Sequence, residues 1–239
     1  SPTSPGGAGF DEWLSGLNFF DNDPYLSRNG KYLQIKGAGT VISMDATLEF
    51  LSKHKDGDKP MLTVTWFPSP HSPHPEIPQG MKNAATLYKN QKTNLAGYFR
   101  EITLLDQQIG RMRKRLRQLG IEKNTLFLYC SDNGGLATAS SGGRAKKGSI
   151  YEGGLRVPAV LEWPERFSAK EIDVPAFTSD LYPTLLAVAG IKQPNKQPVL
   201  DGIDLLPILE GEKEARPPMG FWHGFRNGQG TWSDRIIKA

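Results

Sequence analysis

The longest regular pattern of apolar positions runs from about residue 93 to residue 119, where apolar side chains recur at steps of three and four. They are Leu95, Tyr98, Phe99, Ile102, Leu105, Ile109, Met112, Leu116 and Leu119. This spacing predicts a long amphipathic helix that ends at Gly120. The basic run near its end, RMRKRLR, interleaves cations with the apolar stripe, so we interpret it as a solvated helix face.

Two shorter helices are predicted on either side of the chain's centre. Ser43 or Asp45 is expected to cap the first, which ends near Lys55. Ser179 is expected to cap the second, which has a proline in its first turn and ends before Gly190.

Three apolar runs have the composition of strands, at residues 61–67 (MLTVTWF), 125–130 and 157–163. The first is predicted to be buried because it is β-branched and aromatic between prolines. Helices alternating with such strands favour an α/β protein with a mostly parallel sheet flanked by helices. Residues 1–36 and 193–218 show no sustained period, and we expect irregular structure there.

Composition sets limits on this picture. The chain has 239 residues, of which 38% are hydrophobic and 23% charged, which suits one sizeable core and predicts one domain. The net charge of +4 is mild and does not imply a nucleic-acid partner. A single cysteine, Cys130, excludes a disulfide framework and a thiolate metal cluster. No apolar run of ~18 residues occurs, so no membrane partner is expected, and the oligomeric state stays open.

Candidate chemistry follows the strand at residues 125–130, which stops in the turn residues SDNGG. Asp132 and Asn133 offer a carboxylate and an amide oxygen, which are ligands for hard cations such as Ca²⁺ or Mg²⁺. Arg144, Lys146 and Lys147 come next and can balance an anion held on that metal. Beyond residues 61–67, the loop SPHSPH adds two histidines, placed on the same sheet edge if the strands are parallel.

Five segments in this order, SPHSPH, SDNGG, KGSIYEGGLRVP, SDLYPTLLAVAGI and DGIDLLPILEG, resemble the sulfatase family, whose fold is alkaline-phosphatase-like. The resemblance implies a hydrolase of sulfate esters that uses a formylglycine and one Ca²⁺ ion. It implies Asp132 and Asn133 as Ca²⁺ ligands, and Lys147 and His71 as catalytic residues that also contact the sulfate. The pattern x-Pro-His-x-Pro fits His71 better than His74, its rival.

The resemblance is incomplete. The family's paired N-terminal aspartates, its Cys-x-Pro/Ala-x-Arg formylglycine motif and its Gly-Lys-Trp-His stretch do not occur in the chain. Cys130 precedes Ser131, Asp132 and Asn133, so it cannot replace the nucleophile. We therefore expect residues 1–239 to be the middle-to-C-terminal portion of one sulfatase catalytic domain, inactive by itself. By family, its compartment would be secreted, periplasmic or lysosomal.

Other interpretations stay open. A phosphatase or phosphodiesterase of the same superfamily would show Asp/His clusters for two metals, and a noncatalytic pseudo-sulfatase would serve as a binding module. An Asp-Asn-Gly sequence after a strand is most often only a turn. Arg144 and Lys146 are equally well explained as surface charges. Trp222 and His223 can line a substrate pocket, but the resemblance assigns them no role.

Overall fold

The structure is a computed structural model that describes residues 3–16, 20–74, 88, 93–135, 142–221 and 235–237. The chain divides into two compact units, Ser1–Glu122 and Lys123–Ala239.

Two helices form the core of the first unit. Helix α1 spans Gly39–His54 and helix α2 spans Thr93–Leu119, the range that the apolar pattern predicts. Their buried apolar side chains are Ile42, Met44, Leu51, Ala96, Leu104, Leu105, Met112 and Leu116. Burying each of the larger ones contributes about 1.5–3 kcal/mol. Gly120, with φ of +71°, ends α2 in the left-handed conformation that glycine adopts without strain.

Polar contacts between α1 and α2 explain the basic run. Arg111 Nη2 lies 2.7 Å from Asp45 Oδ1, and Arg115 Nη2 donates to Ser52 Oγ at 2.8 Å. Asp45 therefore pairs across the helices rather than capping α1. The cap prediction was wrong, because α1 begins at Gly39 after Ala38, whose side chain forms no cap.

A three-stranded antiparallel sheet occupies part of the segment predicted to be irregular. Its strands are β1 (Leu14–Ser15), β2 (Tyr25–Arg28) and β3 (Lys31–Gln34). Asn29 and Gly30 join β2 to β3 with φ of +51° and +87°. These are the values of a tight hairpin turn, for which Asn-Gly is the preferred sequence. The Asn-Gly dipeptide therefore forms a hairpin here although no long alternating pattern surrounds it.

Residues 61–67 do not form the predicted buried strand. They have no regular secondary structure and pair with no strand in the described part of the chain. Leu62, Val64 and Trp66 are exposed, Trp66 at 80%, while Thr65 Oγ1 lies 2.7 Å from Thr47 Oγ1 on α1. Strand propensity reflects fit to a half-buried pleated surface, and here one face has no such neighbour among the described residues.

The second unit contains strands β4 (Phe127–Cys130) and β5 (Ala159–Glu162), which confirm two of the predicted strands at shorter length. They pair antiparallel, with Cys130 opposite Ala159. All strand pairs within the described residues are antiparallel. The combination of helices and sheets confirms the α/β class, but the expected parallel pairing is not seen in these pairs. A one-turn helix, α3 (Glu152–Leu155), precedes β5.

The rest of the second unit carries helices α4 (Leu181–Val188) and α5 (Leu206–Leu209) and an antiparallel pair, β6 (Met219–Phe221) and β7 (Arg235–Ile237). Helix α5 lies within residues 193–218, where irregular structure was predicted, and β6 and β7 follow that stretch. A 3-10 turn, Thr178–Asp180, leads into α4.

Asp180, rather than the predicted Ser179, supplies the capping contact at this turn. Its Oδ2 accepts from the Phe177 amide at 2.9 Å, and its Oδ1 accepts from the Ile203 amide at 2.8 Å. Arg216 completes the arrangement with hydrogen bonds to both carboxylate oxygens. Both side chains are buried, so this ion pair holds three separate parts of the unit together.

None of the helices within the described ranges is long and apolar enough to cross a bilayer.

Candidate functional site

Main-chain contacts hold the loop that follows β4. The Gly134 amide donates to the Gly154 carbonyl at 3.0 Å, and the Gly153 amide donates to the Arg144 carbonyl at 2.8 Å. A Cβ atom on Gly134 would collide with the Gly153 carbonyl, and one on Gly153 would collide with the Ala145 carbonyl. The glycines are therefore required for close backbone approach. This glycine-packed loop comprises residues 131–135 and 142–155.

Three predicted site residues lie on the glycine-packed loop. Asp132 is exposed and Asn133 is half-buried, directly after β4. Lys147 is exposed, and its amide donates to the Gly135 carbonyl at 2.9 Å, which brings its backbone beside the 131–135 segment. Ser131 Oγ donates to the Asn133 carbonyl at 3.1 Å and fixes the turn. The loop thus carries a carboxylate, an amide and an ammonium group on two main-chain segments that are hydrogen-bonded to each other.

The donor chemistry of this loop fits part of a hard-cation site. A carboxylate and an amide oxygen are both suitable, but Ca²⁺ takes roughly 6–8 oxygen ligands. Within the described ranges, no group of three or more His, Cys, Asp or Glu side chains is arranged to hold a metal ion. Asp132 and Asn133 would therefore supply only part of the shell.

The other residues near this loop have structural explanations. The Arg144 guanidinium lies 3.7 Å from the centroid of the Tyr151 ring, a cation–π contact. Lys146 is exposed, and its carbonyl accepts from the Ser149 amide at 3.1 Å. Burial, together with the charge of Asp132, raises the pKa of the Cys130 thiol. The thiol is therefore protonated at neutral pH and a weak nucleophile.

His71 belongs to the first unit. Its Nδ1 lies 2.5 Å from the Ser72 carbonyl oxygen, and its ring centroid lies 4.7 Å from that of Phe20. Because a carbonyl only accepts, Nδ1 carries the proton and Nε2 is the ring nitrogen available to a substrate. His71 is exposed, as a group that contacts substrate requires.

His74 is placed differently from His71. Its Cβ would lie 2.6 Å from a Cβ on Gly97, so the ring packs tightly against α2. Its Nδ1 lies 3.4 Å from Glu101 Oε1. Burial, with the nearby charges of His71 and Arg100, lowers the pKa of His74. This histidine faces the protein rather than solvent.

Glu101 is the group that sequence reasoning missed. It is 5% exposed on α2, and burial raises its pKa to about 7 although Ser69 hydrogen-bonds to it. Ser69 Oγ also lies 2.6 Å from the buried Thr40 Oγ1. The apolar pattern placed Ile102 on the buried face, but Ile102 is exposed. The position of Glu101 three residues before Leu104 and four before Leu105, both buried, could have revealed it.

The division into two units separates the predicted residues, with His71 in the first and Asp132, Asn133 and Lys147 in the second. Trp222 and His223 lie outside the described residues.

Comparison with solved structures defines the class of fold. The structure of Ps i-CgsB in complex with k-i-k-neocarrahexaose matches with a TM-score of 0.87 and 23% identity, over 99% of this chain and 58% of that chain. The fold is therefore that of the alkaline-phosphatase-like sulfatases, as expected.

Sequence comparison then gives the family. A sulfatase from Formosa agariphila is 31% identical over 195 residues, or 75% of this chain and 35% of the relative. An ulvan-active sulfatase from the same organism is 27% identical over 87% of this chain and 44% of its own length. The sulfatase family model matches residues 2–191, and the chain belongs to the sulfatase family. It spans less than half the length of these two relatives.

Proposed function

We propose that this chain is part of an enzyme that hydrolyses a sulfate ester with the help of a formylglycine nucleophile and one Ca²⁺ ion. The observation that carries the proposal is the glycine-packed loop, which presents Asp132, Asn133 and Lys147 within the region that matches the sulfatase family model. The formylglycine motif does not occur among the 239 residues, so the nucleophile would come from outside them.

Each residue has a role that its chemistry supports. Asp132 and Asn133 would hold Ca²⁺, which when bound polarises a sulfate oxygen. The Lys147 ammonium would balance the negative charge of the sulfate group. His71, whose Nδ1–H donates to the Ser72 carbonyl, would act as the acid in its doubly protonated form: Nε2 would give its proton to the departing alkoxide and leave the neutral ring protonated at Nδ1.

The test is hydrolysis of an aryl sulfate and an aryl phosphate by the intact enzyme. We expect the sulfate to be preferred and Asp132→Ala to lower kcat by about 10²-fold or more with little effect on folding. Asp173→Ala, at an exposed position of the same unit, is the matched control. Preference for the phosphate would support a phosphatase instead, and binding of sulfate esters without turnover would support a pseudo-sulfatase.

Histidine variants separate the two candidates in the SPHSPH loop. His71→Ala is expected to lower kcat by about 10²-fold or more, the usual scale for a lost acid, whereas His74→Ala should mainly alter KM. The reverse order would transfer the acid role to His74.

A further inference from the structure

The segment from Ser69 to His74 is held on the first unit at its start by a hydrogen bond from Ser69 to Glu101 and at its end by the packing of His74 on α2. At the start, the Ser69 hydroxyl hydrogen-bonds to Glu101 and lies 2.6 Å from Thr40 Oγ1. At the end, His74 Nδ1 lies 3.4 Å from Glu101 Oε1. His71 lies between these two attachments, so the position of Glu101 constrains the loop that carries it.

Packing restricts the same loop. His74 rests on Gly97, one turn before Glu101 on α2, where a larger residue would displace it. The His71 ring packs on Phe20, and Phe20 lines a small cavity together with Thr40, Ser69 and Glu101. Glu101 is therefore connected to His71 through the loop backbone, and the His71 ring also packs on Phe20 beside the cavity that Glu101 lines.

We propose that Glu101 is a positioning residue for His71: the buried carboxyl group of Glu101 holds the Ser69 end of the 69–74 loop on α2, beside His74, and thereby fixes the orientation of the His71 ring. The inference rests on the proposed role of His71 as the acid. Glu101 itself is only 5% exposed, so we assign it a role through His71 rather than on the substrate. Burying a carboxyl group costs free energy because it loses its hydration, and an apolar side chain would fill the same space without that cost. The burial of Glu101 therefore favours a positioning role.

The geometry also gives Glu101 a place in the pH dependence. The groups around it are Ser69, His74 and the charge of Arg100, and His71 in turn acts on His74. With a pKa of about 7, its carboxyl group changes charge in the range where the enzyme would work. Ionisation replaces a carboxyl group that can donate with a carboxylate that only accepts, which changes its hydrogen bond with Ser69.

The experiment compares Glu101→Gln with Glu49→Gln in the intact active enzyme. Glu49 undergoes the same chemical change on α1, where its side chain is 62% exposed. We expect Glu101→Gln to lower kcat by roughly 10- to 100-fold, to leave KM for an aryl sulfate within about twofold, and to remove an ionisation near pH 7 from the kcat profile. Glu49→Gln should match the wild type in all three.

A spectroscopic measurement tests orientation directly. Long-range ¹H–¹⁵N spectra of histidine-labelled enzyme should show His71 as one tautomer, protonated at Nδ1, in the wild type and in Glu49→Gln. A mixture of tautomers is expected in Glu101→Gln. If Glu101→Gln fails to fold, Ser69→Ala removes the hydrogen bond to the same carboxyl group and should give the same selective loss of kcat.

The outcomes are distinct. The positioning role would be overturned by wild-type kcat and an unchanged pH profile in Glu101→Gln, or by wild-type kcat in Ser69→Ala. In either case, an inactive His71→Ala variant would still support the proposed function. Full activity in His71→Ala would overturn both.

Discussion

Arg216 and Asp180 form a buried, two-point ion pair, with Nη1 2.5 Å from Oδ2 and Nη2 3.0 Å from Oδ1. The side chains are 2% and 0% exposed. Two amides, of Phe177 and Ile203, donate to the same carboxylate, so it is satisfied on all sides. A buried charge held in this way is costly to disturb, because removing one partner leaves the other unpaired.

Asp180→Asn should therefore lower the free energy of unfolding by about 3–5 kcal/mol, since Arg216 would stay buried without its counter-charge. Asp173→Asn, an exposed change in the same unit, should alter it by about 0.5 kcal/mol or less. Denaturant unfolding of the two variants checks this, and equal stabilities would show that the ion pair is not what holds Phe177, Ile203 and Arg216 together.

The sequence predicted α2 to its ends because a 27-residue stripe of apolar positions leaves little room for another structure. It also located the glycine-packed loop, since an apolar strand that stops in SDNGG is a local feature. The hairpin at Asn29 and Gly30 was predictable from the same kind of local signal, the Asn-Gly dipeptide. The prediction of irregular structure gave more weight to the missing long period.

What the sequence did not reveal depends on contacts between distant residues. The burial of Glu101 could be inferred from its spacing to Leu104 and Leu105. Its hydrogen bond with Ser69, 32 positions earlier, could not be inferred from any local pattern. Residues 61–67 have strand composition, yet Trp66 is exposed because burial requires a neighbouring surface that composition does not specify.

Glu101 should make stability depend on pH in a defined direction. Its pKa rises from the usual 4.5 to about 7 on folding, so its stabilising contribution is complete below pH 4.5 and is lost as the pH rises through 7. Relative to Glu101→Gln, which does not titrate, the wild type should lose on the order of 2 kcal/mol over this range, after allowance for residual solvation.

Chemical unfolding of both proteins between pH 5 and pH 8 measures that difference. The gap between the two stabilities should be constant above about pH 8, where the carboxyl group is fully ionised. Glu49→Gln provides the reference for an exposed site. A gap that does not change with pH would mean that Glu101 is ionised throughout, and its burial would then need another counter-charge.

The isolated chain should bind Ca²⁺ weakly, because Asp132 and Asn133 supply two of the roughly 6–8 oxygen ligands that the ion takes. Calorimetry at neutral pH with CaCl₂ is the measurement, and Asp132→Ala should abolish the remaining heat of binding. Submicromolar affinity in the wild-type chain would show a complete site and contradict the assignment of further ligands to residues outside it.

Exposed apolar side chains at residues 62–66 should make the isolated chain associate. Leu62, Val64 and Trp66 are 57%, 51% and 80% exposed, on a segment that has no strand partner among the described residues, and such a cluster of exposed apolar side chains favours association. Trp66→Lys should shift the sedimentation profile toward monomer, whereas Lys59→Arg should not. A clean monomer of the wild type at all concentrations would rule this out.

The glycine-packed loop keeps its path through contacts between main-chain atoms, in which the side chains of Asp132, Asn133 and Lys147 take no part. Substitutions at these three positions can therefore accumulate without changing the main-chain path of the loop. If Asp132 holds the metal as proposed, a descendant that lost it would retain the shape of its ancestor and lose only the proposed reaction. Gene duplication followed by such a loss would then convert an enzyme into a binding protein in a single mutational step, and selection against misfolding would not oppose it.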